Sequence, residues 1–305
     1  RWMVRLHQCP QQMRKPHFFK AYCKLGVHNT PHGQSSSGDG VEDAPDHILT
    51  AGFLKKINDS PISSFNFTAP QELDSRERYK LVINDTKNFT GLLLANRDMG
   101  KTQVVIGGDH SVSFAAALSD IETFGTNFGY IHFDSHGDSN LYKTSPSKNF
   151  HGMYLRPLFD KFDVAKFDEL VPHKIPLQNF LAIGDLELDP EENEFFTKND
   201  LKVISHLNME HDKYGALEKI EDFTKNFEHL HISFDLDVFK KELAPAVTTP
   251  SKDGFGKQEI FEILDLLVKA PSLSFDLAEV NPKKKGGEKT VKLAQEVILR
   301  LLETS

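Results

Sequence analysis

Cysteine is nearly absent: Cys9 and Cys23 are the only two in 305 residues. That excludes a disulfide framework and points to a reducing compartment. No stretch approaches the ~20 apolar residues of a membrane span. No apolar core of a secretory signal (roughly 7–15 residues) lies near the start. There is no internal repeat. Net positive charge is lacking too: the balance is −8 at pH 7, which argues against nucleic acid as a partner. Acidic residues are missing from everything before Asp39, a stretch that carries Arg1, Arg5, Arg14, Lys15, Lys20 and Lys24. Residues 1–22 are therefore read as a basic extension, disordered or targeting, ahead of one domain spanning 23–305. A mitochondrial address fits that basic composition. The absence of serine from the first 34 residues fits it poorly, and a cytoplasmic location is the first expectation.

What is present is enough for a full core, with 39% hydrophobic and 26% charged residues. Strand-like runs alternate with helical patterns. The strands are expected at Lys24–His28, Gln103–Ile106, Gly129–Phe133, Phe180–Ile183, Lys202–Ser205, His229–Phe234 and Ser274–Leu277. Helices are expected at Asp46–Ile57, Glu72–Gly91, Val112–Phe124, Gly215–Asn226, Gly256–Ala270 and Glu288–Glu303. Such alternation predicts an α/β fold, a mainly parallel sheet with helices on both faces. The segment Ser35–Gly40 reads as a mobile loop.

Three of these strands stop at metal-grade side chains. Asp134-Ser135-His136-Gly137-Asp138 places a carboxylate, an imidazole and a carboxylate at alternate positions, and an extended backbone points alternate residues the same way. Ser233-Phe234-Asp235-Leu236-Asp237 repeats the arrangement with two carboxylates. Gly107-Gly108-Asp109-His110-Ser111 adds an imidazole. An isolated Asp-x-Asp at a strand end is usually a turn or a helix cap. Two carboxylates and an imidazole crowded together repel and desolvate one another unless a cation compensates. His110, Asp134, His136, Asp138, Asp235 and Asp237 together offer two neutral imidazoles and four carboxylates, which balance two divalent cations. With no thiolate among them, the donors favour Mn²⁺. Two such ions can acidify a shared water to hydroxide near neutral pH.

These residues resemble the ureohydrolases, the family of arginase, agmatinase and formiminoglutamase. The resemblance runs from about residue 23 to 305. It rests on Gly-Gly-Asp-His-Ser (107–111), Asp-Ser-His-Gly-Asp-Ser-Asn (134–140), His-Gly-Met (151–153), Ser-Phe-Asp-Leu-Asp (233–237) and Glu-Val-Asn-Pro (279–282), with Asp39–Pro45 similar to the family's entrance segment. It implies a single three-layer αβα domain with a sheet of about eight strands. It also implies a binuclear manganese cluster, two Mn²⁺ per subunit, on the six residues named above. The activity it implies is hydrolysis of L-arginine to L-ornithine and urea by a hydroxide bridging the two ions. Glu279 would hold the guanidinium, Asp138 would pass a proton to the leaving amine and His151 would shuttle protons. Asn140, Ser147 and Asn149 look like the loop that grips an α-carboxylate. Asp189, helped by Glu192, would meet the α-ammonium, and Thr249 would lie near the guanidinium. Family members form trimers or hexamers, so a homo-oligomer is expected, with no membrane partner.

The chain departs from the family pattern at Lys240-Lys241, where Asp-Pro is usual, at Thr248 and Lys148, which replace glycines, and at Ser135, which replaces alanine. Thr248 would lose backbone freedom if its φ must be positive. Lys148 would either clash or add a cation near the substrate carboxylate. Two alternatives stay open. One is a sibling agmatinase, guanidinobutyrase or formiminoglutamase with the same cluster. The other is an arginase-like protein with little turnover that serves regulation or assembly. A two-metal phosphoesterase would need a basic phosphate cradle near the motifs, and the sequence has none. Replacing His110 with Ala is expected to loosen one metal ion and lower turnover by orders of magnitude. Metal analysis paired with a urea assay checks this, and unchanged activity would refute the assignment.

Overall fold

Eight strands, most of them apolar and short, assemble into one sheet, and every pairing is parallel. The computed structural model describes residues 13–27, 38–58, 60–68, 75–251 and 253–304. In chain order the strands are β1 Pro16–Tyr22, β2 Ile62–Asn66, β3 Thr102–Ile106, β4 Gly129–Phe133, β5 Phe180–Ile183, β6 Lys202–Ile204, β7 His229–Asp235 and β8 Ser272–Ala278. Their order across the sheet is β2-β1-β3-β8-β7-β4-β5-β6.

The pleat sends alternate residues into two separate cores. Val104, Ile106, Ile131, Phe133, Ile232 and Phe234 face one side. There they meet α1 Ala44–Ile48, α2 Ala51–Leu54, α8 His206–His211, α9 Lys213–Thr224, α10 Lys257–Leu267 and α11 Gly287–Leu302. Phe19, Ala21, Val105, Tyr130 and Phe180 face the other. Against them pack α3 Ser75–Ala95, α4 Val112–Phe124, α5 Leu155–Phe159, α6 Ala165–Asp168 and α7 Pro190–Lys198. The result is the expected three-layer αβα domain with a parallel sheet. In α11, Leu293, Ala294, Val297, Ile298, Leu301 and Leu302 form the buried stripe that the helical spacing implies. No helix among the described residues is long and apolar enough to cross a membrane.

Several expected boundaries change. The division at residue 22 cuts through the sheet, because Pro16–Tyr22 is β1 and pairs with both β2 and β3. Phe18, Phe19 and Ala21 are fully buried, so residues 13–22 are part of the domain. Arg14 fastens this segment by donating to the carbonyls of Val268 (2.9 Å) and Ala270 (2.6 Å) just past the end of α10, where a cation suits the helix dipole. Lys24–Val27, read as strand, is a turn; His28, residues 1–12 and residues 35–37 of the expected mobile loop lie outside the described residues, while Gly38–Gly40 of that loop form a turn. The expected helix Asp46–Ile57 divides because Thr50 caps α2, its hydroxyl accepting the Phe53 N–H (3.3 Å).

Beneath the sheet's buried face a polar group of unusual density joins β7, β8 and α4. His231 lies between Asp120 (2.7 Å) and Asp276 (3.0 Å), and Asp120 also meets His229 (3.2 Å) and the Arg97 guanidinium. Burial disfavours charge on His231, but the two carboxylates outweigh it and push its pKa up to about 9. A folded-state pKa above the unfolded value of roughly 6.5 stabilises the fold fully below that pH, and the contribution fades as pH rises through 9. His231→Gln is therefore expected to lower stability at pH 6 and to flatten its decline between pH 6.5 and 9.5 in urea-denaturation curves. A slope equal to that of the wild type would contradict this account.

Candidate metal centre and substrate pocket

Sharp turns follow β3, β4 and β7, and two strand ends, those of β3 and β5, approach other backbone too closely for a side chain. A Cβ on Gly108 would fall 1.8 Å from the Cys23 carbonyl oxygen, and one on Gly184 would fall 1.6 Å from that of Asp134. Only glycine fits at either place. The Gly108 turn brings His110 over the carboxyl end of the sheet. Asp134, His136 and Asp138 leave β4 in the same direction. Asp235 closes β7, and Asp237 follows it in a single 3-10 turn. Glu279 comes directly after β8.

The six proposed ligands converge. His110 Nδ1 lies 3.0 Å from Asp134 Oδ2, 3.0 Å from Asp138 Oδ2 and 3.6 Å from Asp235 Oδ2. His136 Nδ1 lies 2.9 Å from Asp237 Oδ2 and 3.2 Å from Asp134 Oδ1, so Asp134 sits between the two imidazoles. Backbone amides steady the carboxylates: His136 N–H donates to Asp134 (2.7 Å), Ser135 N–H to Asp237 (2.9 Å) and Asp237 N–H to Asp235 (2.7 Å). Behind His110, its Nε2 lies 2.9 Å from Ser233 Oγ, whose own hydrogen goes to Asp276 Oδ1 (3.0 Å). With that hydrogen committed, Ser233 accepts from Nε2–H, which leaves the Nδ1 lone pair facing the carboxylates.

The donor set fits divalent metal. His110 Nδ1 and Asp134 Oδ2 are both buried and neither makes an aligned hydrogen bond, although they lie 3.0 Å apart. Burial and mutual repulsion push Asp138 up to about 7 and Asp237 up to about 6, and hold Asp235 well above its ordinary range. The imidazoles lie the other way: burial opposes their charge, but the surrounding aspartates raise both His110 and His136. Cations at this point would relieve the repulsion that raises those carboxylates.

Above these groups opens a pocket of about 430 Å³. Its wall includes the expected Asn140, Ser147, His151, Asp189, Glu192, Thr249 and Glu279. Asn149 stands back from the wall, nearly buried, its N–H donated to Ser147 Oγ (3.2 Å). Asn140 Nδ2 donates to Asp189 Oδ2 (2.6 Å). Glu192 accepts the Ser139 and Asp189 amides (2.8 and 3.0 Å), which fixes both the loop and the start of α7. Glu279 Oε1 accepts His110 N–H (2.8 Å) and lies 3.1 Å from His151 Nδ1. Its buried Oε2 has the Thr248 hydroxyl beside it but no aligned bond. Burial opposes charge on both members of the pair, yet each favours the charged form of the other: His151 is raised and Glu279 lowered. Glu187 and Ser145 also line the pocket and were missed from sequence. Glu187 had a legible signal, because Asp185-Leu186-Glu187-Leu188-Asp189 alternates like the ligand motif.

Three non-glycine residues here hold left-handed backbone: Asp138 (φ 43°), Lys148 (φ 58°) and Glu279 (φ 65°). Such conformations cost on the order of 1–3 kcal/mol each and gather at functional sites. Among the departures, Lys148 replaces glycine where the backbone is left-handed, whereas Thr248 and Lys240-Lys241 are mild. Thr248 does not have a positive φ, so it has no need of glycine's freedom. The Lys148 ammonium turns back to the carbonyls of Tyr142 (2.5 Å) and Lys143 (3.1 Å), neither clashing nor entering the pocket. Lys240 and Lys241 are exposed and do not line it.

A profile described as the Arginase family matches residues 24–303. The arginase of Staphylococcus aureus (strain MRSA252) is 30% identical over 85% of this chain and 89% of its own length. The arginase of Bacillus subtilis (strain 168) is 28% identical over 91% and 97%. A crystal structure of arginase from Bacillus subtilis superimposes with a TM-score of 0.82 at 24% identity, covering 96% of this chain and 99% of that one; it shares the fold. From the profile, the relatives and the sheet, the chain is a member of the arginase family of ureohydrolases.

Proposed function

We propose that this protein hydrolyses the guanidinium group of L-arginine to L-ornithine and urea at a pair of manganese ions. One observation carries the reading: six side chains from three strand ends converge at the floor of the pocket, with His110 Nδ1 and Asp134 Oδ2 bare and facing each other. His110, Asp134, His136, Asp138, Asp235 and Asp237 would hold the metals, and their oxygen-rich, thiolate-free chemistry suits Mn²⁺. Two bound dications would supply Lewis acidity and an acidified water.

The rest of the pocket suits a cationic amino acid. Carboxylates of Glu187, Asp189, Glu192 and Glu279 stand on its wall, and a guanidinium and an α-ammonium both need anionic partners. Glu279 Oε2, free of an aligned hydrogen bond, can accept guanidinium N–H groups, while Oε1 stays tied to His110 N–H and His151. At the other end, one amide hydrogen of Asn140 goes to Asp189, and the second remains for a substrate carboxylate, beside the Ser147 hydroxyl. Asp189 would take the α-ammonium. His151 lies beside Glu279, whose carboxylate favours its charged form, and is about one-fifth exposed, a position suited to exchanging protons with solvent. Asp138 would pass a proton to the leaving amine.

Removing bound metal by chelation is expected to abolish urea release, and added Mn²⁺ to restore it. Arginine is expected to be cleaved far faster than agmatine, guanidinobutyrate or formiminoglutamate in parallel assays. Asp189→Ala should raise KM for arginine about 10–100-fold, the loss of one or two charge-assisted hydrogen bonds, and leave agmatine turnover little changed. Agmatine preferred by a wide margin would overturn the assignment of Asn140, Ser147 and Asp189. Metals bound with no urea from any guanidine would favour a non-catalytic role.

A further inference from the structure

Tyr154 is fully buried and sits three residues after His151, at the entrance to α5. Its hydroxyl lies 3.0 Å from Ser233 Oγ, 3.3 Å from His110 Nε2 and 3.2 Å from His132 Nδ1. It does not line the pocket, and neither does His132, which is fully buried on β4 and stacked on His110 at a ring separation of 5.5 Å. Neither residue was singled out from sequence: both stand within apolar surroundings that read as core.

The hydrogens can be assigned by elimination. His132 Nε2 aligns on the carbonyl oxygen of His136 at 3.3 Å. A carbonyl only accepts, so Nε2 carries the hydrogen and Nδ1 is a bare acceptor. The Tyr154 O–H is the donor within reach of that acceptor, and its other near acceptor, Ser233 Oγ at 3.0 Å, already takes the His110 Nε2–H. The other tautomer would turn a lone pair on Nε2 toward two oxygens, that of the His136 carbonyl and Asp134 Oδ2 at 3.4 Å, and would be repelled by both. The His136 carbonyl belongs to the turn that carries Asp134, His136 and Asp138. One hydroxyl thus reaches both halves of the centre: His110 directly, and the Asp134–Asp138 turn through His132.

We infer that Tyr154, acting through His132, is a positioning residue for the metal centre, which locks the His132 tautomer and so holds the turn bearing three of the six ligands. The inference rests on the metal-centre reading above. Partners of this kind beyond the ligands typically change metal affinity about 10–100-fold. In Tyr154→Phe, manganese binding measured by titration calorimetry is expected to weaken by about that factor, while the metal-free protein keeps its wild-type far-ultraviolet circular dichroism. Adding His132→Gln to Tyr154→Phe is expected to recover much of the loss, since an amide N–H stands in for Nε2–H and needs no tautomer set for it. An affinity unchanged in folded Tyr154→Phe, or a double variant no better than the single one, would overturn the inference. Should Tyr154→Phe not fold, His132→Gln against His132→Leu carries the same test. The amide is expected to bind manganese close to the wild-type level and the leucine about 10–100-fold worse, and equal affinities would overturn the proposal. Wild-type protein that takes up no manganese would remove the metal-centre reading itself; wild-type binding with an unaffected Tyr154→Phe would remove this inference alone.

Discussion

Register between parallel strands is the constraint on which the pocket depends. Phe133 stands opposite Phe234, Asp235 opposite Ala278 and Ile106 opposite Leu277. The ends of β4, β7, β8 and β3 are thereby level, and the residues just beyond them come together. A slip of one residue would exchange the two faces of a strand. It would drive Phe133 or Phe234 out of one core and turn the ligand side chains away from each other. The two apolar layers therefore hold the polar centre in place.

That rigidity allows the centre to be electrostatically unfavourable in isolation. Four buried carboxylates crowd around two imidazoles, and three of the four are raised by burial and repulsion. Asp138 and Glu279 also sit in left-handed backbone. A flexible loop would relax away from both penalties. Here backbone amides clamp the carboxylates from behind, and the ladders prevent the turns from drifting. The cleft is thus arranged in advance for positive charge, both in what it would bind permanently and in what it would turn over.

The sequence announces this centre more clearly than it announces the sheet that carries it. Asp134, His136 and Asp138 alternate at the end of an apolar run, and so do Asp235 and Asp237, so their convergence follows from the period of an extended chain. The strands β3 to β8 were legible as short apolar, β-branched or aromatic runs. Two were not. In β1, the half-buried His17 and Lys20 flank the buried pair Phe18-Phe19, so the strand shows no clean alternation to read. In β2, Ile62-Ser63-Ser64-Phe65-Asn66 lies at the sheet edge, only partly covered. The short helices α5 and α6 depend on tertiary packing, and α7 and α8 on capping boxes as well, rather than on a long periodic stripe. The positions of His132, Tyr154, Asp120 and His231 were illegible in a different way. A polar residue inside an apolar strand or helix reveals its partner only once the elements are packed.

The fastening of the first strand has a consequence for the whole molecule. Arg14 N–H donates to the Leu302 carbonyl (2.7 Å), and Met13 forms a bridge with Glu303. The two described ends of the chain are neighbours, on the amino-end side of the parallel sheet and opposite the mouth of the cleft. Circular permutation is tolerated where ends meet in this way. A linker joining them, with new ends cut into a rim loop, would preserve every ladder. Anything attached at the old junction, whether a surface, a fused domain or a neighbouring subunit, would leave the opening unobstructed.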